Sequence, residues 1–144
     1  MIFREWTEQD LPEILALERA CFAFPWTEEM LVSSFCSPLF LGVLAEEDGE
    51  ILGYLGGETL YELSETLVVA VKESARNKGI ATELFARFEK EAKEKGAEKA
   101  MLEVRVSNTA ARALYEKLGY APIAVRKKYY PDNGEDAIVM SKEL

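Results

Sequence analysis

Hydrophobic and polar positions along this 144-residue chain change period repeatedly, and each change marks the border of an element. IFREW, from Ile2, alternates like a short strand. Thr7 can then cap an amphipathic helix, with Leu11, Ile14, Leu15, Leu17 and Glu18 continuing one helical pattern. Pro25 interrupts it, Thr27 can open a second short helix over EEMLVSSF, and Pro38 ends that segment. LFLGVLAE and EILGYLGGETL flank the turn pair Asp48 and Gly49, which predicts a hairpin. ETLVVAV is a continuous apolar run of the buried-strand type.

The second half alternates helix and strand. Ile80, Ala81, Leu84, Phe85, Phe88 and Ala92 fall on one face of a helix from about Ile80 to Lys95, closed by Gly96. AMLEVRV is the next strand. Ser107 or Asn108 caps a helix over TAARALYEKL, which Gly119 ends. IAVRKKYY and EDAIVMSKEL form a last strand pair across PDNG. The order β-α-α-β-β-β-α-β-α-β-β, without repeat or linker, predicts one α/β domain over residues 1–144, with a mixed (α+β) sheet.

Composition narrows the function classes. A net charge of −9 argues against a general nucleic-acid binder. That charge is uneven: residues 1–66 carry 14 acids and 2 bases (net −12), residues 67–144 carry 12 acids and 15 bases (net +3). A basic second half can hold an anionic ligand, and an acidic first half can attract a basic partner. No apolar run approaches the ~20 residues of a spanning helix, and MIFREWTEQD lacks a signal-peptide apolar core, so a cytoplasmic protein without a membrane partner is expected. It is taken as a monomer or weak dimer. Cys21 and Cys36, each beside a phenylalanine, form no metal-binding pair and are expected to be buried, inert thiols; no metal is expected. The chain has no histidine, so proton transfer would fall to other side chains.

Arg76, Asn77, Lys78, Gly79, Ile80, Ala81 and Thr82 lie between a buried strand and a well-formed helix. A helix start presents unpaired N–H groups and favours an anion, and glycine permits close backbone approach. Alone this is a weak motif. After an apolar strand, however, R-x-x-G-x-A resembles the acetyl-CoA signature of the GCN5-related N-acetyltransferases (GNAT), and the element order resembles their fold along the whole chain. The resemblance implies that Asn77 to Thr82 hold the pyrophosphate of acetyl-CoA, with Arg76 adding charge. It implies that Val69, Ala70 and Val71 pair by backbone with the pantetheine arm, one of their N–H groups polarising the thioester carbonyl. LEVRVSNTAARALYEKLGY with RKKYYPDNGEDAIVM further resembles ribosomal-protein alanine N-acetyltransferases (RimI type) and related N-terminal acetyltransferases. FPWTEEML is similar to their substrate loop. The family commonly has an asparagine and an acid–proline pair around the fourth strand, where this chain has LVVAVKES.

Two residues then have competing readings. Alternation puts Glu103 on the polar face of a strand with Met101 and Arg105, which by itself suits a solvated carboxylate. Tyr115 shares a helical face with Ala111, Leu114 and Leu118, which by itself suits core packing. The resemblance makes Glu103 the general base, through water, and Tyr115 the general acid toward the thioester sulfur. It also makes Asn108 a coenzyme A contact as well as a helix cap, and Trp26, Glu29, Tyr129 and Tyr130 substrate contacts. Trp26 could equally be a staple into the core, and the two tyrosines ordinary strand aromatics. The implied activity is direct acetyl transfer to the N-terminal α-amine of a protein, with the N-terminal alanine of a small-subunit ribosomal protein as the expected substrate. A lysine side chain or small amine as acceptor, and a non-catalytic coenzyme A-binding module, are the alternatives.

Overall fold

A computed structural model describes residues 1–144. The elements follow the predicted order: β1 (Ile2–Glu5), α1 (Leu11–Cys21), α2 (Glu28–Phe35), β2 (Phe40–Glu47), β3 (Glu50–Leu60), β4 (Leu63–Val71), α3 (Ile80–Glu94), β5 (Lys99–Arg105), α4 (Thr109–Lys117), β6 (Ala121–Arg126) and β7 (Ala137–Glu143). The strands form one seven-stranded sheet ordered β1-β2-β3-β4-β5-β7-β6. All neighbours run antiparallel except β4 and β5. Asp48 (φ 53°) and Gly49 (φ 80°) both take the left-handed conformation that a two-residue hairpin turn needs.

Apolar residues cover both faces of the sheet. On one, Ile14 and Leu15 of α1 and Leu31 of α2 pack with Trp6, Leu44, Tyr54, Val68 and Ala70. On the other, Leu84, Phe85 and Phe88 of α3 and Tyr115 of α4 pack with Leu55, Ala100, Leu102 and Val104. Burying such side chains contributes about 1.5–3 kcal/mol each, which is what seats the helices.

Three expectations are corrected. A 3₁₀ turn (Glu8–Asp10) precedes α1, because the Thr7 N–H and hydroxyl both donate to the Asp10 carboxylate, at 2.7 and 3.0 Å. IAVRKKYY is not strand to its end. β6 stops at Arg126, Lys128 turns to φ 50°, and its N–H donates to the Asp136 carboxylate at 2.9 Å instead of continuing the ladder. Tyr129 and Tyr130 therefore sit in the β6–β7 connection. Cys36 is exposed and Cys21 half-buried, since Cys36 follows the last turn of α2, a helix that buries only Leu31.

What opens the molecule lies between β4 and β5. Their parallel pairing covers Leu63, Ser64 and Glu65 against Lys99, Ala100 and Met101, and then ends. β4 runs on to Val71 and β5 to Arg105, so a slit opens through the sheet beyond Glu65. The edge of β4 that borders it is unpaired.

Candidate active site

The slit edge follows from the ladder on its other side. The Lys72 N–H donates to the Leu52 carbonyl at 2.7 Å, so antiparallel alternation turns the polar backbone of Ala70 toward β3 and that of Val69 and Val71 toward the slit. The expected run of three slit-facing residues is thereby reduced to two. The Val71 carbonyl already accepts from Arg76 Nε at 3.1 Å. Val69 keeps both backbone groups for a ligand that runs along the edge.

Beyond β4 the chain reaches α3 through a cradle. Asn77 (φ 64°) and Gly79 (φ 78°) both take left-handed conformations, and Gly79 is the residue before the first turn of α3. No side chain caps this helix, so the N–H groups of Ile80, Ala81 and Thr82 remain available in its first turn. A Cβ placed on Gly79 would meet nothing within 4 Å, so the space before the helix is open. Ile80 is buried and fixes the helix, while Arg76, Asn77, Lys78 and Gly79 are exposed. Open backbone donors, a helix dipole and two cations suit a pyrophosphate. The residues present thus fit the phosphate end and the arm of acetyl-CoA.

Glu103 and Tyr115 lie on opposite faces of the sheet. Leu102 and Val104 belong to the α3–α4 side, so Glu103 and Arg105 point to the α1–α2 side. The Glu103 side chain is only 16% exposed, with Arg126 Nε 3.2 Å from its Oε1. The neighbouring Glu103 carboxylate, together with burial, pushes the Tyr129 phenol up to about 12. A solvated carboxylate paired near Arg105 is not what is found.

Tyr115 is core and more than core. Its ring lies edge-on to Phe85 and Tyr120, at 5.7 and 6.3 Å between centroids. Its hydroxyl has no hydrogen-bond partner, yet the only fully buried side-chain polar atom without one is Thr66 Oγ1. The Tyr115 hydroxyl therefore emerges at a surface, on a residue 8% exposed. Burial first, then the nearby Tyr130, pushes its pKa up to about 12, which keeps its proton in place at neutral pH. Asn108 Oδ1 caps α4 by accepting from the Ala111 N–H at 3.2 Å, and the residue is exposed.

The expected substrate contacts divide. Tyr129 and Tyr130 stand edge to face at 5.1 Å, with Tyr129 46% exposed beside Glu103. Trp26 packs its half-buried side chain against the α1–α2 core, and its backbone N–H donates at 3.0 Å to Glu18, a buried carboxylate that also accepts from the Tyr54 hydroxyl. Its staple reading has direct support. Glu29 is exposed on the first turn of α2 and makes no hydrogen bond or ion pair.

Sequence reasoning missed two residues. Glu65 pairs in register with Met101, so it shares the α1–α2 face with Glu103 at the mouth of the slit. Burial first, then the charge of Glu103, raises its pKa. One extra residue in β4 puts it there: Gly56 pairs with Val68 and Gly57 with Thr66, which leaves Leu67 as a bulge and reverses the alternation. The continuous apolar run gave no sign of that. Arg105, inside the LEVR motif, holds the β6–β7 loop through Asp132 and Glu135.

A backbone edge that can hold an extended acyl carrier, an anion cradle at its end, and a carboxylate and a phenol on the two faces of the sheet together suit acyl transfer to an amine. Comparison with known proteins agrees. The acetyltransferase (GNAT) family model matches residues 11–120. A protein of Bacillus subtilis (strain 168), provisionally named ribosomal protein bS18-alanine N-acetyltransferase, is 35% identical over 133 residues, covering 92% of this chain and 88% of the relative. The ribosomal protein bS18-alanine N-acetyltransferase of Escherichia coli (strain K12) is 31% identical over 134 residues, with 92% and 90% covered. The crystal structure of the ribosomal-protein-S18-alanine N-acetyltransferase from E. coli superposes with a TM-score of 0.90 at 28% identity, covering 99% of this chain and 92% of that one.

Proposed function

The chain belongs to the GNAT family of acetyltransferases, and from that premise we propose that it acetylates the N-terminal α-amine of a protein, with the N-terminal alanine of a small-subunit ribosomal protein as its substrate. The observation that carries the reading is a slit whose β4 edge is free, in a sheet with Glu103 on one face and Tyr115 on the other. Acetyl-CoA, bound along Val69 and Val71 with its pyrophosphate at Asn77 to Thr82, supplies the activated acetyl group. Arg76 braces the turn between those two stretches.

A free α-amine has a pKa of ~7.7–8.0 and arrives mostly protonated. Glu103, on the α1–α2 face, takes that proton at its carboxylate, directly or through a water. Tyr115, on the other face, holds its proton at neutral pH and gives it from its hydroxyl to the departing thiolate. The Val69 N–H faces the slit, where it can stabilise charge on the carbonyl oxygen. Tyr129, against Glu103, forms part of the amine's surroundings. Transfer is direct: the Cys21 thiol donates weakly to the Val71 carbonyl at 3.8 Å, and Cys36 lies exposed at the end of α2, so neither is activated as a nucleophile. A ribosomal-protein substrate supports a cytoplasmic reaction, and no helix is long and apolar enough to cross a membrane.

A panel of peptides differing only in the first residue, assayed by coenzyme A release, tests the reading. Alanine-starting peptides should be turned over fastest. A rate indifferent to the first residue would remove the alanine assignment.

A further inference from the structure

Arg105 follows Glu103 by two residues on the same face of β5, and two separate segments, the β6–β7 loop and the α1–α2 loop, meet on its guanidinium. From the β6–β7 loop, Asp132 accepts through both oxygens, Oδ1 from Nη1 at 3.1 Å and Oδ2 from Nη2 at 2.5 Å. Nη1 also reaches Asn133 Oδ1 at 3.3 Å and Glu135 Oε1 at 3.4 Å. The other Glu135 oxygen accepts from the Ser107 N–H at 2.7 Å, which ties the same loop to the start of α4. The Tyr130 ring lies 3.8 Å from the guanidinium carbon, and the Phe24 ring of the α1–α2 loop lies 5.3 Å from it.

These contacts replace the ladder that the loop lacks. Between Arg126 and Ala137 no strand pairing exists, and Lys128 is in a left-handed turn. Arginine suits the task because its planar fork grips a carboxylate with two donors while its flat face stays free to stack on aromatic rings; lysine can do neither. Phe24 is 52% exposed and Tyr130 is half-buried, so neither ring is held by core packing alone. Both flank the face on which Glu103 lies.

We propose that Arg105 is a positioning residue: it sets the spacing between the α1–α2 loop and the β6–β7 loop, and thereby the fit of the acceptor's first residues, without touching acetyl-CoA or the transferred proton. The proposal rests on the N-terminal acetyltransferase reading for what passes between the loops, and on geometry alone for the coupling of the loops.

The test compares wild type with Arg105→Lys and Arg105→Met in two measurements. In steady-state kinetics, loss of the fork and of the stack should raise the peptide KM about tenfold or more, the worth of a charge-assisted hydrogen bond. Turnover at saturating peptide should fall less than about threefold, and the acetyl-CoA Kd should stay unchanged. In native hydrogen exchange, which needs no acceptor, residues 22–26 and 127–136 should both lose protection in the lysine variant while the strands keep theirs. Lysine preserves charge and length, so this variant keeps the test alive if the methionine variant does not fold. Unchanged exchange in either loop, or a loss confined to turnover with peptide KM constant, overturns the proposal. If the wild type turns over no N-terminal peptide, the acceptor reading fails instead, and the exchange result still decides whether Arg105 couples the loops.

Discussion

Tyr115 and Tyr120 belong to one aromatic cluster, yet their hydroxyls have different work. The Tyr120 hydroxyl donates to Glu89 at 2.8 Å in the core, where Lys142 also reaches Glu89 at 2.7 Å. The Tyr115 hydroxyl bonds to nothing. Tyr120→Phe should therefore cost about 1.5–3 kcal/mol in denaturant unfolding with little effect on the chemistry, because it leaves a buried carboxylate short of a donor. Tyr115→Phe should leave stability unchanged and lower turnover by about 10²-fold, as should Glu103→Gln, both with the acetyl-CoA Kd kept. With its pKa near 12, Tyr115 stays protonated across the usual assay range, so the activity of the wild type should show no alkaline limb from this residue below that value. At this scale the sequence was legible only in part. Periodicity put Glu103 on the opposite face from Leu102 and Val104, and Tyr115 in the core, and both placements hold, but helices cover the Glu103 face and leave its carboxylate largely buried; the roles proposed for the two residues rest on the motif. Glu65 stayed hidden because a one-residue bulge reverses which face it takes, and Arg105 because its partners lie 27–30 residues further along the chain.

The elements were legible where local chemistry decides them. The Asp48 and Gly49 turn, the Asn108 cap and the apolar face of α3 all follow from short-range rules. The slit was not, because it depends on two parallel strands diverging after three pairs, and nothing in either strand marks that point. The end of β6 was misjudged for a related reason: KKYY has strand-like residues, but a side-chain acceptor from Asp136 takes the N–H that a ladder would need. Two glycines separate the roles of the elements. A Cβ at Gly57 would lie 2.4 Å from the Glu65 carbonyl oxygen and 2.5 Å from Phe88 Cζ, so Gly57→Ala should lower stability by about 1–3 kcal/mol. Gly79→Ala meets no atom but must hold φ 78°; it should cost about 1–2 kcal/mol and weaken acetyl-CoA binding by distorting the cradle. Isothermal calorimetry beside thermal unfolding would separate the two, since Gly57→Ala should leave acetyl-CoA affinity nearly intact in the folded fraction.

Across the whole molecule, the acidic first half is held in register partly by one cation. Arg4 donates to both oxygens of Asp10, at 2.8 and 2.9 Å, and to both of Glu46, at 3.2 and 3.1 Å, joining β1 to the entry of α1 and to β2. Those bonds hold Asp10 down at about 2. The folded value lies below the unfolded value of ~3.9, so the stabilisation is complete above about pH 4 and is lost as pH falls toward 2. Arg4→Met should therefore move the acid-unfolding midpoint, followed by circular dichroism, to higher pH. The charge division between halves was readable from composition, and it suits a basic protein chain approaching on the α1–α2 side; which acceptor it delivers was not readable. That question has a direct answer in one measurement. A peptide with an N-terminal alanine and a single internal lysine is incubated with enzyme and acetyl-CoA, beside the same peptide blocked at its N-terminus, and the acetyl group is located by fragmentation mass spectrometry. The account predicts acetyl on the alanine α-amine of the free peptide and none on the blocked one. Equal acetylation of the lysine in both peptides would contradict it.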